Sequence, residues 1–351
     1  MNLETLENAI GHWLENDATD VFLAEGQPTR LRINGEVVAI EESNMTRDEI
    51  ATLWEACGVN PETHNEHDAR HLMSSGGYLR VNLYRAMGNL SAAIRPIKDV
   101  IPPLDSLGLP TDLFRSWTKR RSGLVLVTGA TGSGKSTTLA SALDDLNQSL
   151  HGHIVTLEDP IEYIFQNKQS YFSQRELNSD TNSFSGALRA SLRQNPDVIM
   201  IGEIRDEETA QLALRAAETG HLVLTTLHSS GVVEAIERLS NLFPDGPRET
   251  SLMLLSRQLI GVLTQNLLPG IDGSLKLVCE YLENDGATRT WIREGRYRDL
   301  IDHLLRPQQA HARDMLTSIV EAHQAGLVDE NSARNASPNP SDFDRQIRGI
   351  S

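Results

Sequence analysis

The chain opens on a helical period: Leu3, Leu6, Ile10, Trp13 and Leu14 recur at the spacing that lines one face of a helix, which is expected to stop near Asp17. The period then shortens to that of strands. Apolar runs at Asp20 to Leu23, Thr29 to Ile33 and Val37 to Ile40 predict three of them, the last two joined across Asn34-Gly35. That dipeptide tolerates the positive φ angles of a two-residue hairpin. Thr46 and Glu49 have the spacing of a capping box ahead of a helix carrying Ile50, Leu53 and Trp54, since each side chain can bond the other's main-chain N–H. A polar, histidine-bearing stretch follows. Gly77 to Tyr84 and Asn89 to Ile97 then predict two further strands around a turn at Met87-Gly88. Residues 1–97 therefore read as a small α+β domain.

Pro102, Pro103 and Pro110 punctuate residues 98–110, which read as a linker because proline removes donors and fixes the backbone. Beyond it, residues 111–351 change pattern. Continuous apolar runs at Gly123 to Thr128, His153 to Leu157, Val198 to Ile201 and Leu222 to Leu227 alternate with helical stretches. That alternation predicts an α/β domain with a parallel sheet covered on both faces. From Pro247 onward the pattern is mostly helical, apart from a strand at Leu275 to Tyr281 and a loose stretch at Asn335 to Pro340.

The first of those buried runs leads into Gly129-Ala130-Thr131-Gly132-Ser133-Gly134-Lys135-Ser136-Thr137, and a helical pattern follows from Lys135 to Leu146. Strand, glycine-rich loop and helix in this order form the G-x-x-x-x-G-K-[ST] phosphate loop. Its glycines let backbone N–H groups turn toward an anion, Lys135 reaches the terminal phosphates, and the Ser136 hydroxyl can hold Mg2+. The expected ligand is a nucleoside triphosphate.

Hydrolysis also needs a carboxylate at the end of a neighbouring strand. Val198 to Ile201 runs into Gly202-Glu203, with glycine where an aspartate commonly stands, so Glu203 is that strand's terminal acid. A second acidic cluster, Glu158-Asp159-Pro160-Ile161-Glu162, follows the strand ending at Leu157. Both clusters fall at the carboxyl ends of strands, where α/β sheets bind ligands. His221 and His228 bracket the strand Leu222 to Leu227 at a separation of about 23 Å, too far apart to share a metal ion.

Composition narrows the classes of function. With 351 residues, 39% hydrophobic and 23% charged, the chain is long enough for two globular domains. The net charge of -16 argues against an extended nucleic-acid surface, which needs a local excess of Lys and Arg. Cys57 and Cys279 are too far apart for a CxxC zinc site and too few for a disulfide framework. No apolar run reaches membrane-spanning length, and the N-terminal helix lacks a basic region and cleavage site, so a cytosolic location is expected.

Together, the loop Gly129 to Thr137, the box Thr156 to Tyr163, Gly202-Glu203-Ile204-Arg205-Asp206, Ala217 to His221 and Thr226-Leu227-His228 resemble the secretion ATPase superfamily. Its members are the hexameric motors of type II secretion, type IV pili and some type IV secretion systems. Within it the chain is similar to the type IV pilus retraction ATPases, the PilT family, over nearly its whole length. Asp20 to Leu23, Gly26 to Val37 and Leu79 to Asn82 resemble that family's PAS-like N-terminal domain. Ala287 to Glu294 is similar to its signature AIRNLIRE, agreeing at Ala287, Arg289, Ile292, Arg293 and Glu294. The chain also lacks the tetracysteine insert usual in assembly and type II secretion ATPases.

The resemblance implies a RecA-like ATPase domain that hydrolyses ATP with Mg2+, works as a homohexamer and powers pilus retraction. It further implies action on a pilus platform protein at the cytoplasmic face of the inner membrane, with membrane association through partners and no role for nucleic acid. Ser136, Glu158 and Glu203 would serve the metal, while Glu162 and Glu203 would divide metal organisation and water activation. His221 and His228 would lie by the nucleotide and the domain junction, and Arg80 and Arg95 would supply arginines to the bound nucleotide. Trp291 with Arg289, Arg293, Arg296 and Arg298 makes a candidate partner-contact surface. Type IV secretion or conjugation ATPases and accessory pilus ATPases share the four motifs, and a nucleic-acid-dependent RecA-like ATPase is a more distant alternative.

Overall fold

The computed structural model describes residues 2–16, 18–40, 44–243, 248–306 and 310–349. Asp17 and Pro247, where a helix end and the start of the helical C-terminal region are expected, lie outside them. The chain folds as two units, one running to Val100 together with Glu162–Ile164 and the other comprising Ile101–Ile161 and Phe165–Ser351.

The first unit holds helix α1 (Leu3–Glu15), strands β1 (Ala18–Ala24), β2 (Arg30–Ile33) and β3 (Glu36–Ala39), helix α2 (Arg47–Ala56), and strands β4 (Glu66–Leu72), β5 (Tyr78–Ala86) and β6 (Asn89–Pro96). Its antiparallel sheet has the order β3-β2-β1-β6-β5-β4. Asn34 and Gly35 take φ of 51° and 85°, and Ile33 pairs with Glu36 across them, so the expected two-residue hairpin forms. Thr46 and Glu49 make both bonds of the capping box at the start of α2. One sheet face buries Val21, Leu23, Val81, Leu83 and Ile94 against Ile10, Ile50, Leu53 and Trp54 of the two helices.

Strand β4 lies in the stretch that shows only polarity in the sequence. As an edge strand it exposes Glu66, His67 and Asp68 and buries little beyond Ala69 and His71, so no alternation of apolar residues marks it. His71 is buried because it meets Glu7 of α1, with Nε2 2.7 Å from Glu7 Oε1, while Glu7 Oε2 accepts the Ser74 N–H at 2.8 Å. Burial alone would raise the Glu7 carboxyl pKa, but the bonds from Ser74 and His71 outweigh it and hold the group below its ordinary value. Glu7→Ala is therefore expected to cost about 2–4 kcal/mol at neutral pH, chiefly through the buried groups it leaves unpaired. A depressed carboxylate stabilises above its unfolded pKa and loses that contribution as pH falls through the folded one, so the deficit should shrink on acidification below about pH 4. Urea unfolding at both pH values measures it, and a deficit that did not change with pH would refute the ionised Glu7 carboxylate.

The second unit begins in the proline-rich segment, which packs onto it: Leu104 and Leu109 are buried and Ser141 Oγ donates to the Pro102 carbonyl at 2.7 Å. It continues through α3 (Thr111–Thr118), β7 (Gly123–Thr128), α4 (Lys135–Asn147), β8 (His153–Glu158), β9 (Tyr171–Glu176), α5 (Phe184–Ser191), β10 (Val198–Ile201), α6 (Glu207–Glu218) and β11 (Leu222–Leu227). The remainder is α7 (Val232–Asn241), α8 (Arg248–Gln258), β12 (Leu259–Pro269), β13 (Leu275–Glu283), α9 (Gly286–Glu294), α10 (Tyr297–Leu304), β14 (Ala312–Arg313), α11 (Met315–Gln324), α12 (Glu330–Ala336) and α13 (Pro340–Ile347).

Among the described residues the sheet has the order β14-β13-β12-β7-β11-β10-β8-β9, parallel from β12 to β9 and antiparallel at β13 and β14. Every residue of β7 and β11 is buried, as expected of central strands covered on both faces. Three strands of this sheet, β9, β12 and the two-residue β14, are absent from the sequence expectation. The chain is expected to be mostly helical from Pro247 on, yet β12 is extended because it is laddered on both sides, with Thr264 opposite Thr128 and Val262 opposite Leu282. Gly261 lets this happen, since a Cβ there would stand 2.6 Å from the buried Trp117 ring. Strand β9 closes the other edge with Ser173, Gln174 and Arg175, too polar to announce a strand. The stretch expected to be loose is mostly helix end: Asn335 and Ala336 finish α12, and Asn339 caps α13 with Pro340 as its first residue.

Candidate nucleotide site

The parallel strands bring four chain segments to one edge of the second unit's sheet. The loop Gly129 to Ser133 follows β7, Glu158 ends β8, Gly202-Glu203 follows β10 and His228 follows β11. This is the carboxyl-terminal edge, where the connections diverge and leave room for a ligand.

The loop has the backbone of an anion cradle. Gly129, Gly132 and Gly134 take φ of 143°, 80° and 88°, a region that side-chain-bearing residues avoid. Space matters as much at Gly129, because a Cβ there would lie 2.4 Å from the Gln265 carbonyl oxygen. Ala130, Thr131 and Gly132 are exposed, whereas Ser133 and Lys135 are buried and Ser136 and Thr137 are half-buried at the start of α4. Lys135 Nζ donates to the carbonyls of Gly129 at 3.0 Å and Ala130 at 2.8 Å. The ammonium is thus held in the loop, where desolvation strengthens its attraction for an incoming phosphate. Buried Ser133 Oγ finds no hydrogen-bond partner among the described residues, and the donor set as a whole fits a phosphate chain.

Glu203 stands between two basic groups. Arg205 Nε donates to its Oε2 at 2.8 Å, and His228 Nε2 lies 3.5 Å from its Oε1. Arg205 also approaches Asp159 at 3.6 Å, and its bond to Glu203 raises the guanidinium pKa above the ordinary value. The preceding Gly202 has a packing reason. Its N–H donates to Leu157 O at 2.7 Å, and a Cβ there would stand 3.2 Å from that oxygen. A side chain at this position would need that carbonyl to give by a few tenths of an ångström. Glu158 is buried, its Oε1 accepting from the Thr156 hydroxyl at 2.6 Å and from Gln174 Nε2 at 3.2 Å.

The remaining candidates are placed elsewhere. His221 sits at the amino-terminal end of β11, its carbonyl accepting the Gly123 N–H and its Nδ1 lying 2.9 Å from the Ala216 carbonyl. It is therefore at the opposite edge of the sheet from the loop, and the fold does not bring it to the nucleotide site of this unit. Glu162 groups with the first unit, where its carbonyl accepts the Lys98 N–H at 3.2 Å and its side chain is exposed. Arg80 and Arg95 are exposed neighbours on β5 and β6 of that unit. Arg95 is bound to Asp20 Oδ1 at 2.9 and 2.5 Å, and Arg80 is flanked on its other side by Arg70. Three arginines in register repel, and Asp20 offsets part of that repulsion. Trp291 of the candidate partner surface is packed against the core, leaving the exposed arginines beside it, with Arg293 paired to Glu294 and Arg296 to Asp299.

Sequence reasoning missed Arg205 and Gln265 as parts of this site, and Asp20 and Arg70 as neighbours of the strand arginines. Arg205 lies in a motif already in view, and its spacing two residues beyond Glu203 is a usable signal. The others become visible only through strand pairing.

Residues 93–326 match the family described as type II/IV secretion system protein. The "Twitching motility protein" of Neisseria gonorrhoeae is 36% identical over 316 residues, covering 88% of this chain and 84% of that relative. The protein of Pseudomonas aeruginosa described as "Type IV pilus retractation ATPase PilT" is 34% identical over 331 residues, covering 93% and 96%. A crystal structure of the pilus retraction motor PilT with bound ADP superposes with a TM-score of 0.90 at 36% identity, over 98% of this chain and 99% of that one. With a family match over most of its length and relatives aligned almost end to end, the chain belongs to the type II/IV secretion system protein family.

Proposed function

We propose that this protein is the ATP-hydrolysing motor of type IV pilus retraction. The observation that carries the reading is the joint placement of a buried Lys135 in a glycine-lined loop and a Glu203 held by Arg205 and His228 at one sheet edge. The pilus assignment is supported by the likeness to proteins described as a twitching motility protein and a PilT ATPase.

Phosphoryl transfer leaves the protein little covalent work, so positioning and charge stabilisation dominate. Lys135 and the loop N–H groups bind and orient the phosphates. We assign Mg2+ to the Ser136 hydroxyl together with the carboxylates of Glu158 and Glu203; when bound, the ion would neutralise charge on the phosphate oxygens. Glu203 and Glu162 are our candidates for aligning the attacking water. Arg80 and Arg95 act as mobile cations that stabilise charge on the transferred group, an effect worth about 10³ to 10⁵ in rate for an arginine finger. Arg95 must leave Asp20 to do so.

The working assembly in this reading is a homohexamer at the cytoplasmic face of the inner membrane, acting on a membrane-embedded platform protein. Among the described residues no helix is long and apolar enough to cross a membrane; attachment through partners is part of this reading. Deleting the gene and counting surface pili by electron microscopy tests the reading. Excess pili with lost surface motility are expected, whereas bald cells would make the protein an assembly motor and unchanged piliation would remove it from this role.

A further inference from the structure

We propose that Gln265 is a positioning residue for nucleotide binding, its side-chain amide holding the Ser133 carbonyl and thereby aiming the Gly134 N–H at the phosphates. The inference rests on the nucleotide reading of the loop and concerns a strand more than a hundred residues downstream of it.

Gln265 lies in β12 and is 1% exposed. Its neighbour Thr264 is in register with Thr128 at the end of β7, and their hydroxyls are 2.7 Å apart, so the two strands are fastened just before the loop begins. From there Gln265 Nε2 donates to the Ser133 carbonyl at 2.6 Å. A trans peptide points its C=O and N–H in opposite directions. Holding the Ser133 oxygen toward β12 therefore turns the Gly134 N–H away from β12. That N–H makes no hydrogen bond among the described residues. It is a donor facing the place where the motif binds an anion.

Two further observations tie Gln265 to the loop rather than to general packing. A Cβ at Gly129 would meet the Gln265 carbonyl oxygen at 2.4 Å, and one at Gly134 would meet its Nε2 at 3.1 Å. The first and last glycines of the motif both sit against Gln265, and Gly129 also against the Ser133 hydroxyl, which a Cβ would meet at 2.5 Å. Its Oε1 is buried with no partner among the described residues, a cost that an apolar side chain of the same size would exchange for an unpaired Ser133 carbonyl. What the amide supplies, and an apolar side chain cannot, is the donor to Ser133.

The test uses the full chain with Gln265→Met and Gln265→Glu beside wild type, measuring ADP affinity, ATPase KM and kcat, and thermal unfolding. Gln265→Met keeps the length without the donor. It should unfold close to the wild-type temperature, because an unpaired Ser133 carbonyl replaces an unpaired Gln265 Oε1, while ADP Kd and KM for ATP rise about tenfold and kcat changes less, the effect of losing one aligned hydrogen bond. Gln265→Glu carries an acceptor opposite a carbonyl when ionised and a donor when protonated. Its ADP affinity relative to wild type should be low near pH 8 and recover toward about pH 6, because burial raises a carboxyl pKa. Packing alone would not produce that recovery. Wild-type affinity in Gln265→Met, or a loss in Gln265→Glu that does not vary with pH, overturns the proposal. A wild-type protein that fails to bind ADP would overturn the nucleotide reading instead. Should Gln265→Met not fold, the pH dependence of Gln265→Glu decides alone.

Discussion

Lys135→Ala is expected to lower ATP turnover by about 10³-fold, the scale seen when a preorganised charge or donor is taken from a reacting centre. The expectation comes from where the ammonium is held. Lys135 is 9% exposed, and its Nζ is gripped by the carbonyls of Gly129 and Ala130. Nucleotide phosphates entering the loop would exchange with those carbonyls for a cation that has already lost most of its water, so less desolvation remains to be met on binding. The substitution also leaves two loop carbonyls without their donor, which loosens the backbone that presents the N–H groups. Both KM and kcat should therefore suffer. Steady-state phosphate release measures the effect, and turnover within tenfold of wild type would exclude the loop as the site of hydrolysis.

Glu203→Gln separates binding from chemistry. The glutamine keeps an oxygen for Arg205 but loses the negative charge and the ability to accept a proton, so hydrolysis should fall by about 10² to 10⁴-fold, the usual worth of a general base. ADP affinity should stay near wild type, because the loop and Lys135 are untouched. Glu203 is already paired to Arg205 at 2.8 Å and lies 3.5 Å from His228. That arrangement fixes the carboxylate in place beside the β10 end. If Glu203→Gln retains turnover while Glu162→Gln loses it, the base is Glu162, the exposed carboxylate of the first unit. Glu203 would then serve the metal alone.

Much of the site is legible in the sequence because its parts are local. A phosphate loop consists of a buried strand, glycines and a helix start contiguous along the chain, so Leu124 to Leu146 reveals it by order alone. The Asn34-Gly35 hairpin, the Thr46 and Glu49 capping box and the four central strands are local in the same way. In each, the residues that determine the conformation lie within a few positions of one another. Gly202 is an intermediate case. Its departure from the usual aspartate is readable, but the reason, the approach of Leu157 O, belongs to the pairing of β8 with β10.

Only the tertiary structure decided what depends on partners distant in sequence. Strands β4, β9 and β12 carry no clear period of their own: two are polar edge strands, and the third is a mostly apolar run directly after helix α8 that only ladders on both sides mark as extended. Side chains meet by register, which no local pattern encodes. It brings Arg70, Arg80 and Arg95 into one row and sets Glu203 beside His228. Gln265 shows the limit most plainly. In the sequence it is a polar residue in an apolar stretch, and only the pairing of β12 with β7 carries its amide to the Ser133 carbonyl. The sequence by itself determined which chemistry is present, because short-range sterics and hydrogen bonding settle the loop; the fold decided which side chains serve it, because long-range pairing alone sets their distances.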